Sequence, residues 1–385
     1  MIDDNLRLDN YDYILNKESI ANYPCLKRDE SKLLVYNNKK IRSSRFVNIS
    51  NHIPQNSTIF LNDSRVINSR FFFYNSENKR IEILVTKVTK IDNGKKKIFE
   101  VDSLIGNAKK WKEDEVLISK KKTIILKVFK KDKRVYFTWN KDIKWDEILN
   151  IFGSIPLPPY IKRDIEDSDY RSYQTVYSKV NGSIASPTAG LHFSESLIND
   201  LKKNHTLDTI TLHVGIGTFK PINTEKIKNH VMHSENISIS KKNIENLSKS
   251  KNIVAVGTTS LRTLESIYYL AVKISRRENT DFIEQYPYEK EENYFDRRKV
   301  FKIILEFMKN NNLEKINFKS SLFIIPGYEF KLCDQLITNF HYPKSTLILL
   351  IAAFIGEDWR KVYNFALDNK YRFLSYGDSS LLYKK

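Results

Sequence analysis

Histidines, threonines and glycines gather in short runs along the second half of the chain, and their order limits the chemistry open to it. From Asp208 to Val214 a period-2 alternation places Ile210, Leu212 and Val214 on one face of an expected strand and Thr209, Thr211 and His213 on the other. This polar ladder runs into Gly215-Ile216-Gly217-Thr218, where a dinucleotide loop fails: Lys220 stands at the third glycine position and Pro221 follows it. The run is therefore a tight turn after a core strand, or a backbone that approaches a ligand closely. The expected strand Asn252 to Gly257 delivers Thr258-Thr259-Ser260 into a helix, with Thr258 or Thr259 as N-cap. Arg262 in its first turn then joins the free N–H groups in holding an anion, or is simply a surface arginine.

His230 and His233, three apart before Glu235, invite a metal on a helix, but no HExxH and no Cys ligand accompany them. They are expected to bind a polar substrate or to orient a carboxylate. Ser186 to Phe193 is a small-residue loop ahead of a helix, with His192 at its end; in a chain this poor in Ala and Gly it implies backbone close to a ligand or to a neighbouring helix. Upstream, the stiff Pro156 to Arg163 segment ends in Lys162 and Arg163, and Tyr173 to Tyr177 reads as a polar-aromatic helix face. Basic and aromatic groups together suit RNA, while a proline-rich crossover with surface lysines is the plainer alternative.

The elements that must carry these runs follow from the patterning. Residues 1 to 70 mix short strands and turns. Segments at Arg80 to Val88, Lys97 to Leu104, Val116 to Ser119, Thr123 to Phe129 and Arg134 to Trp139 make 71–150 a small inserted β-barrel domain. Strand then alternates with helix: strands Asp208 to Val214, Asn252 to Gly257, Leu322 to Pro326 and Tyr371 to Gly377, and helices from Ser260 and over Ser345 to Phe354. The fold class is α/β, a barrel-like domain formed by 1–70 and 151–385. Residues 268–318 interrupt it with charged sequence and one amphipathic helix, where Val300, Ile303, Ile304, Phe307 and Met308 share a face.

With 385 residues, 64 Lys+Arg and 46 Asp+Glu, the chain carries +18, which favours nucleic acid as a partner and competes with a general bias toward Lys, Asn and Ile. Cys25 and Cys333 stand alone, so a disulfide scaffold, a Cys-rich zinc domain and a CxxC redox site are excluded. The longest apolar stretch, Leu347 to Ile355, is far shorter than the roughly 18 residues of a membrane span, and a soluble, unprocessed, cytoplasmic protein is expected.

Nine runs, among them PLPPYIKR (156–163), YQTVY (173–177), SPTAGLHF (186–193), TLHVGIGTF (211–219), VGTTSLRTLE (256–265), TNFHYPKSTL (338–347) and YRFLSYGD (371–378), together resemble the S-adenosylmethionine:tRNA ribosyltransferase-isomerase (QueA) family. They stand in the family's order over nearly the whole chain. The 268–318 segment exceeds the minimal family pattern, and SPTAG and NDSRVINSR stand where APTAG and NDTRVIPAR are commoner.

The resemblance implies an enzyme of queuosine biosynthesis. It would move the ribosyl part of S-adenosylmethionine onto 7-aminomethyl-7-deazaguanine in the tRNA anticodon, giving epoxyqueuosine and releasing adenine and methionine. No cofactor is implied, S-adenosylmethionine being consumed; the partners are that tRNA and S-adenosylmethionine, with no membrane, and a monomer is expected. A sulfonium acidifies the C5′ hydrogens, so a neutral imidazole is base enough. His213 and His192 are the candidate bases, Asp378 or Glu235 the acid or sulfonium partner, and Tyr376 the aromatic face. Thr188, Thr211, Thr218, Thr258, Thr259 and Arg262 are assigned to S-adenosylmethionine, and Arg65, Arg70, Lys162, Arg163, Tyr173, Gln174 and His341 to tRNA. A non-catalytic tRNA binder and a metal-dependent hydrolase built on His213, His230 and His233 are the rival readings.

Overall fold

The computed structural model describes residues 6–92, 97–215, 217, 222–290 and 295–385. The chain enters through β1 (Lys32–Asn37), β2 (Lys40–Arg45), β3 (Thr58–Asn62) and the short β4 (Ser64–Val66). It continues through β5 (Arg70–Tyr74), β6 (Arg80–Asp92), β7 (Ile98–Gly106), β8 (Leu117–Lys121), β9 (Ile124–Lys131) and β10 (Arg134–Trp139), followed by helix α1 (Trp145–Phe152). These six strands pair antiparallel in the order β5-β6-β7-β10-β9-β8, and β5 comes against β8, so the sheet curls nearly shut. Alternate residues such as Phe71, Phe73, Val101, Val128 and Phe137 fill its interior with Ile148 and Leu149 of α1.

Beyond α2 (Asp169–Ser172) and β11 (Val180–Ser183) come α3 (Glu195–Asn204), β12 (Thr206–Leu212), β13 (Glu235–Ser240), α4 (Lys241–Lys249), β14 (Ile253–Val256) and α5 (Thr258–Ser275). Next are β15 (Phe282–Ile283), α6 (Arg297–Asn310), β16 (Lys315–Ser320), β17 (Gln335–Asn339), α7 (Thr346–Ile355), α8 (Trp359–Asp368) and β18 (Ser379–Tyr383). The main sheet runs β15-β16-β13-β12-β3-β14-β17-β18-β1-β2. At its centre β12, β3, β14 and β17 are mutually parallel, so their carboxyl ends share one edge. Buried on both faces, β3 and β14 are apolar but for Thr58 and Asn62 at the ends of β3. Alternation divides the two cores. Ile59, Leu61, Val254, Val256 and Ile337 pack with Phe193, Leu197 and Leu201 around α3. Phe60, Ile253, Ala255 and Leu336 pack with Leu261, Leu264 and Ile351 of α5 and α7.

Several expected elements fall elsewhere. Leu322 to Pro326 is buried as far as Ile325 but is not a strand; the sheet position belongs to β17, because a short apolar run cannot by itself be told from other buried backbone. Glu265, fully buried, gathers the N–H groups of Lys331, Leu332 and Cys333 and the Tyr328 hydroxyl, fixing the loop that feeds β17. Tyr371 to Gly377 is irregular, and the last strand begins at Ser379. Tyr173 to Tyr177 is a turn, since Gln174 bonds both the N–H and the C=O of Val66 and acts as a strand partner. In the 268–318 segment α5 runs on to Ser275 and the amphipathic α6 packs on α4 and α5, with Val300, Ile304 and Met308 buried.

Candidate active site

The shared carboxyl edge of the parallel strands is where an α/β sheet leaves side chains free for a ligand. Asp63 follows β3, His213 follows β12, Gly257 follows β14 and Phe340 follows β17. β18 and β1 begin on the same edge, since Ser379 pairs with both Asn339 and Leu33. A cavity of about 350 Å³ opens there, lined by Ser186 to Ala189, Val214, Gly257 to Thr259, Thr338 to Ser345 and Ser375. Its walls are chiefly apolar, with Tyr160 and Phe340 on them, and its polar groups include Thr188, Thr258, Thr259, Asn339, His341 and the cation Lys344.

The N-cap of α5 is Gly257 rather than a threonine. Its φ of +92° suits glycine, and Thr258 and Thr259 thereby become the first helical residues, lining the cavity. Arg262 lies one turn further along and does not line it. Its Nη1 is 2.9 Å from Glu235 Oε2, and its Nε donates to the Leu322 carbonyl. Burial opposes ionisation of Glu235, yet Arg262 and then His233, 3.5 Å from Oε1, outweigh it and hold the carboxyl below its ordinary value. The expected convergence of His213, Thr258 and Arg262 on one pocket therefore fails: of the three only Thr258 lines the cavity, His213 standing behind its wall residue Val214. Residues 230–234 carry no helix, so His230 and His233 are not helix neighbours. Among the described residues no three His, Cys, Asp or Glu side chains gather as a metal set.

His213 stands one residue from Val214 of the cavity wall, and its backbone is held on both sides. Asn62 Nδ2 donates to the Leu212 carbonyl and its Oδ1 accepts from the Leu212 N–H, while Ser183 Oγ accepts from the Val214 N–H at 2.9 Å. The ring packs against Gly182, where a Cβ would come within 2.8 Å of it. Burial lowers the His213 pKa from the usual 6.5, against the pull of Asp63. Thr211 donates to Asp63 Oδ1 at 2.7 Å and so supports that carboxylate rather than standing free for a ligand. His192 is buried, its Nδ1 is 2.7 Å from Ser31 Oγ, and burial brings its pKa to about 4.

Asp378 is spent: its carboxylate accepts from the N–H groups of Lys32 and Arg372 and pairs with the Arg372 guanidinium. That clamp fixes the start of β18 and leaves no free acid. Tyr376 is buried too, donating to Asp169, and faces a second cleft rather than the cavity.

The queuosine biosynthesis protein family model matches residues 8–382. The chain belongs to that family. Curated relatives named S-adenosylmethionine:tRNA ribosyltransferase-isomerase include one from Buchnera aphidicola subsp. Schizaphis graminum, 37% identical over 97% of this chain and 96% of the relative. Another from Rickettsia bellii is 36% identical over 99% of this chain and all of the relative, and one from Sulfurihydrogenibium sp. is 37% identical over 98% and 100%.

For this member of the queuosine family the residues assigned to tRNA divide by their partners. Arg65 and Lys162 are exposed. Arg163 is not free: it holds Asp169 through two 2.7 Å bonds. Arg70 pairs with Glu82 and donates to the Leu157 carbonyl. Tyr173 is fully buried and Gln174 is tied to Val66, so neither is an open stacking or reading group, and His341 lies in the cavity wall beside Thr338. Thr218 lies outside the described residues. Sequence reasoning missed Asn62, Ser183, Ser31 and Asn339, which set the histidines and the cavity floor. Of these Asn62 and Asn339 sat in runs already singled out, NDSRV and TNFHYPKSTL, without a role assigned to either.

Proposed function

We propose that the strand-end cavity binds S-adenosylmethionine and that His213 removes the C5′ proton beside its sulfonium. The chain works as a ribosyltransferase-isomerase of queuosine biosynthesis, transferring the ribosyl group to the aminomethyl-deazaguanine of tRNA with loss of adenine and methionine. The observation that carries the site assignment is the cavity: the ends of parallel strands enclose about 350 Å³ of mostly apolar space with a few hydroxyl and amide groups, a fit for a nucleoside.

The chemistry follows from what lies around it. A neutral imidazole accepts a proton at pH 7, and burial keeps His213 neutral there. The lone pair used is that of Nε2, Nδ1 being the nitrogen buried without a partner among the described residues. The ylide so formed expels adenine, whose departure is eased by the hydroxyls of Thr258 and Thr259 as donors in a low-dielectric site. The free amine of the tRNA base then attacks the ribose-derived carbon, and methionine leaves as the epoxide closes. S-adenosylmethionine is a substrate and no cofactor enters. Among the described residues no helix is long and apolar enough to cross a membrane, and we place the chain in the cytoplasm as a monomer. The test is incubation with S-adenosylmethionine and tRNA carrying the aminomethyl-deazaguanine: free adenine and the epoxyqueuosine nucleoside should appear in equal amounts, and absence of both would refute the reading.

A further inference from the structure

Beside the cavity lies a larger cleft of about 1210 Å³, and the two share Ser375. One loop serves both: Ser186 to Ala189 faces the cavity, while Leu191 and His192, a turn later, line the cleft. We propose that this cleft takes the single-stranded RNA around the target base, with Arg28 and Arg171 holding its phosphates. The inference rests on the proposed function, and it assigns the RNA to a cleft that none of the expected tRNA residues lines, although Gln174 and Arg163 abut it through Arg28 and Tyr23.

Arg28 is the main reason. Its guanidinium is half-buried and donates to the carbonyls of Gln174 and Arg171 at 2.6 Å each, yet no carboxylate ion-pairs with it among the described residues. A second cation, Arg171, stands close enough to depress its proton affinity further after burial has done so, and is itself exposed with no ion pair among the described residues. Two neighbouring cations, one of them half-buried and neither matched by an anion, are costly unless an anion arrives.

A further feature points to a nucleotide beside the arginines. His192 lines the cleft at 5% exposure, held by Ser31 at Nδ1 and by Asn339 of the cavity wall, and so joins the two spaces. The rim also carries Tyr23 and Leu26 at 51% and 106% exposure; the Arg163 guanidinium stacks on the Tyr23 ring at 4.2 Å, and Leu26 with the rest of that half-exposed ring forms the ledge on which a base can stack. Of the acids in the lining, Asp29 accepts from Ser194, while Asp167 and Glu195 remain, so the anion site is local to Arg28 and Arg171 rather than a field of the whole cleft. Size agrees as well: the cleft exceeds the cavity several-fold and opens beside it, as two substrates that must exchange a ribosyl group require.

The rival face is the inserted β-barrel, where residues 71–150 hold 20 Lys+Arg against 12 Asp+Glu. The test measures binding of tRNA across a salt series for the full chain, Arg171→Ala, and a Lys120→Ala/Lys127→Ala control on the barrel. Arg171→Ala should weaken tRNA about tenfold and reduce the salt slope by about 1, leaving melting temperature and S-adenosylmethionine binding unchanged. Arg28→Gln should lose at least as much and, since Arg28 also holds two carbonyls, some stability. Unchanged tRNA binding by Arg171→Ala, or a larger loss in the barrel control, overturns the cleft assignment. If the wild-type chain binds tRNA while Arg171→Ala matches it, the cleft alone is wrong; if the wild type binds neither tRNA nor S-adenosylmethionine, the proposed function fails with it.

Discussion

Replacing Gly182 by Ala should disable His213 without touching it. Gly182 has φ +138°, a conformation an L-residue adopts only under strain, on the order of 1–3 kcal/mol. The added methyl would lie 2.8 Å from His213 Cε1 and 2.9 Å from Nδ1, where ordinary contact begins at 3.4 Å. The ring must therefore retreat by about 0.5 Å, because the backbone on either side of it is pinned by Asn62 and Ser183. A misplacement of about 1 Å costs about 10² in rate, so half that distance predicts roughly a tenfold loss of adenine release. Single-turnover adenine release by chromatography measures it, with S-adenosylmethionine and tRNA titrations alongside. Both affinities should hold, and the melting temperature should fall by a few degrees. A Gly182→Ala protein that releases adenine at the wild-type rate would refute the placement of His213 at the reacting carbon.

Other outcomes follow from the same geometry. His213→Ala should lower adenine release by about 10² to 10⁴ while both substrates still bind, and His192→Ala, tied to Ser31, should cost less; the reverse order would exchange their roles. Since the pKa of His213 lies below 6.5, release should be flat above that pH and fall only beneath it, and a pH–rate profile with its decline above neutrality would contradict a buried neutral base. Arg262→Met should destabilise the fold by about 3–5 kcal/mol in urea titrations, because Glu235 is left buried without its cation. In the wild type the Glu235 carboxyl, held below 4.5, contributes stability above that pH and loses it as pH falls through its lowered pKa, and a fold insensitive to acid there would count against the pair. Arg163→Glu should lower the melting temperature by breaking its bond to Asp169, whereas Lys162→Glu should weaken tRNA binding alone.

The part of the site legible in the sequence was the part written in strands. Alternation from Asp208 to Val214 placed His213 and Thr211 opposite Ile210 and Leu212, and those two isoleucine and leucine side chains are buried at 1% exposure. The strand-to-helix step at Gly257 was also readable, though its cap was not, because a threonine N-cap and a glycine with positive φ leave the same residues in the string. What the sequence hid were partnerships at long range. Arg262 meets Glu235, Arg163 meets Asp169, and Asp378 clamps Lys32 and Arg372. Each looked like a free chemical group until the fold supplied its partner, and Arg28, which nothing in the sequence singled out, holds two carbonyls but no carboxylate among the described residues. Leu322 to Pro326 failed for a simpler reason: an apolar run reports burial, not hydrogen-bonding pattern.

The most direct measurement of the central claim is a crystal structure of the chain soaked with S-adenosylmethionine. The account predicts the adenine in the strand-end cavity between Thr188 and the Thr258-Thr259 turn, with the ribose C5′ within about 3.5 Å of His213 Nε2. S-adenosylmethionine in the arginine-lined cleft, or in the cavity with its C5′ turned away from His213, would contradict it.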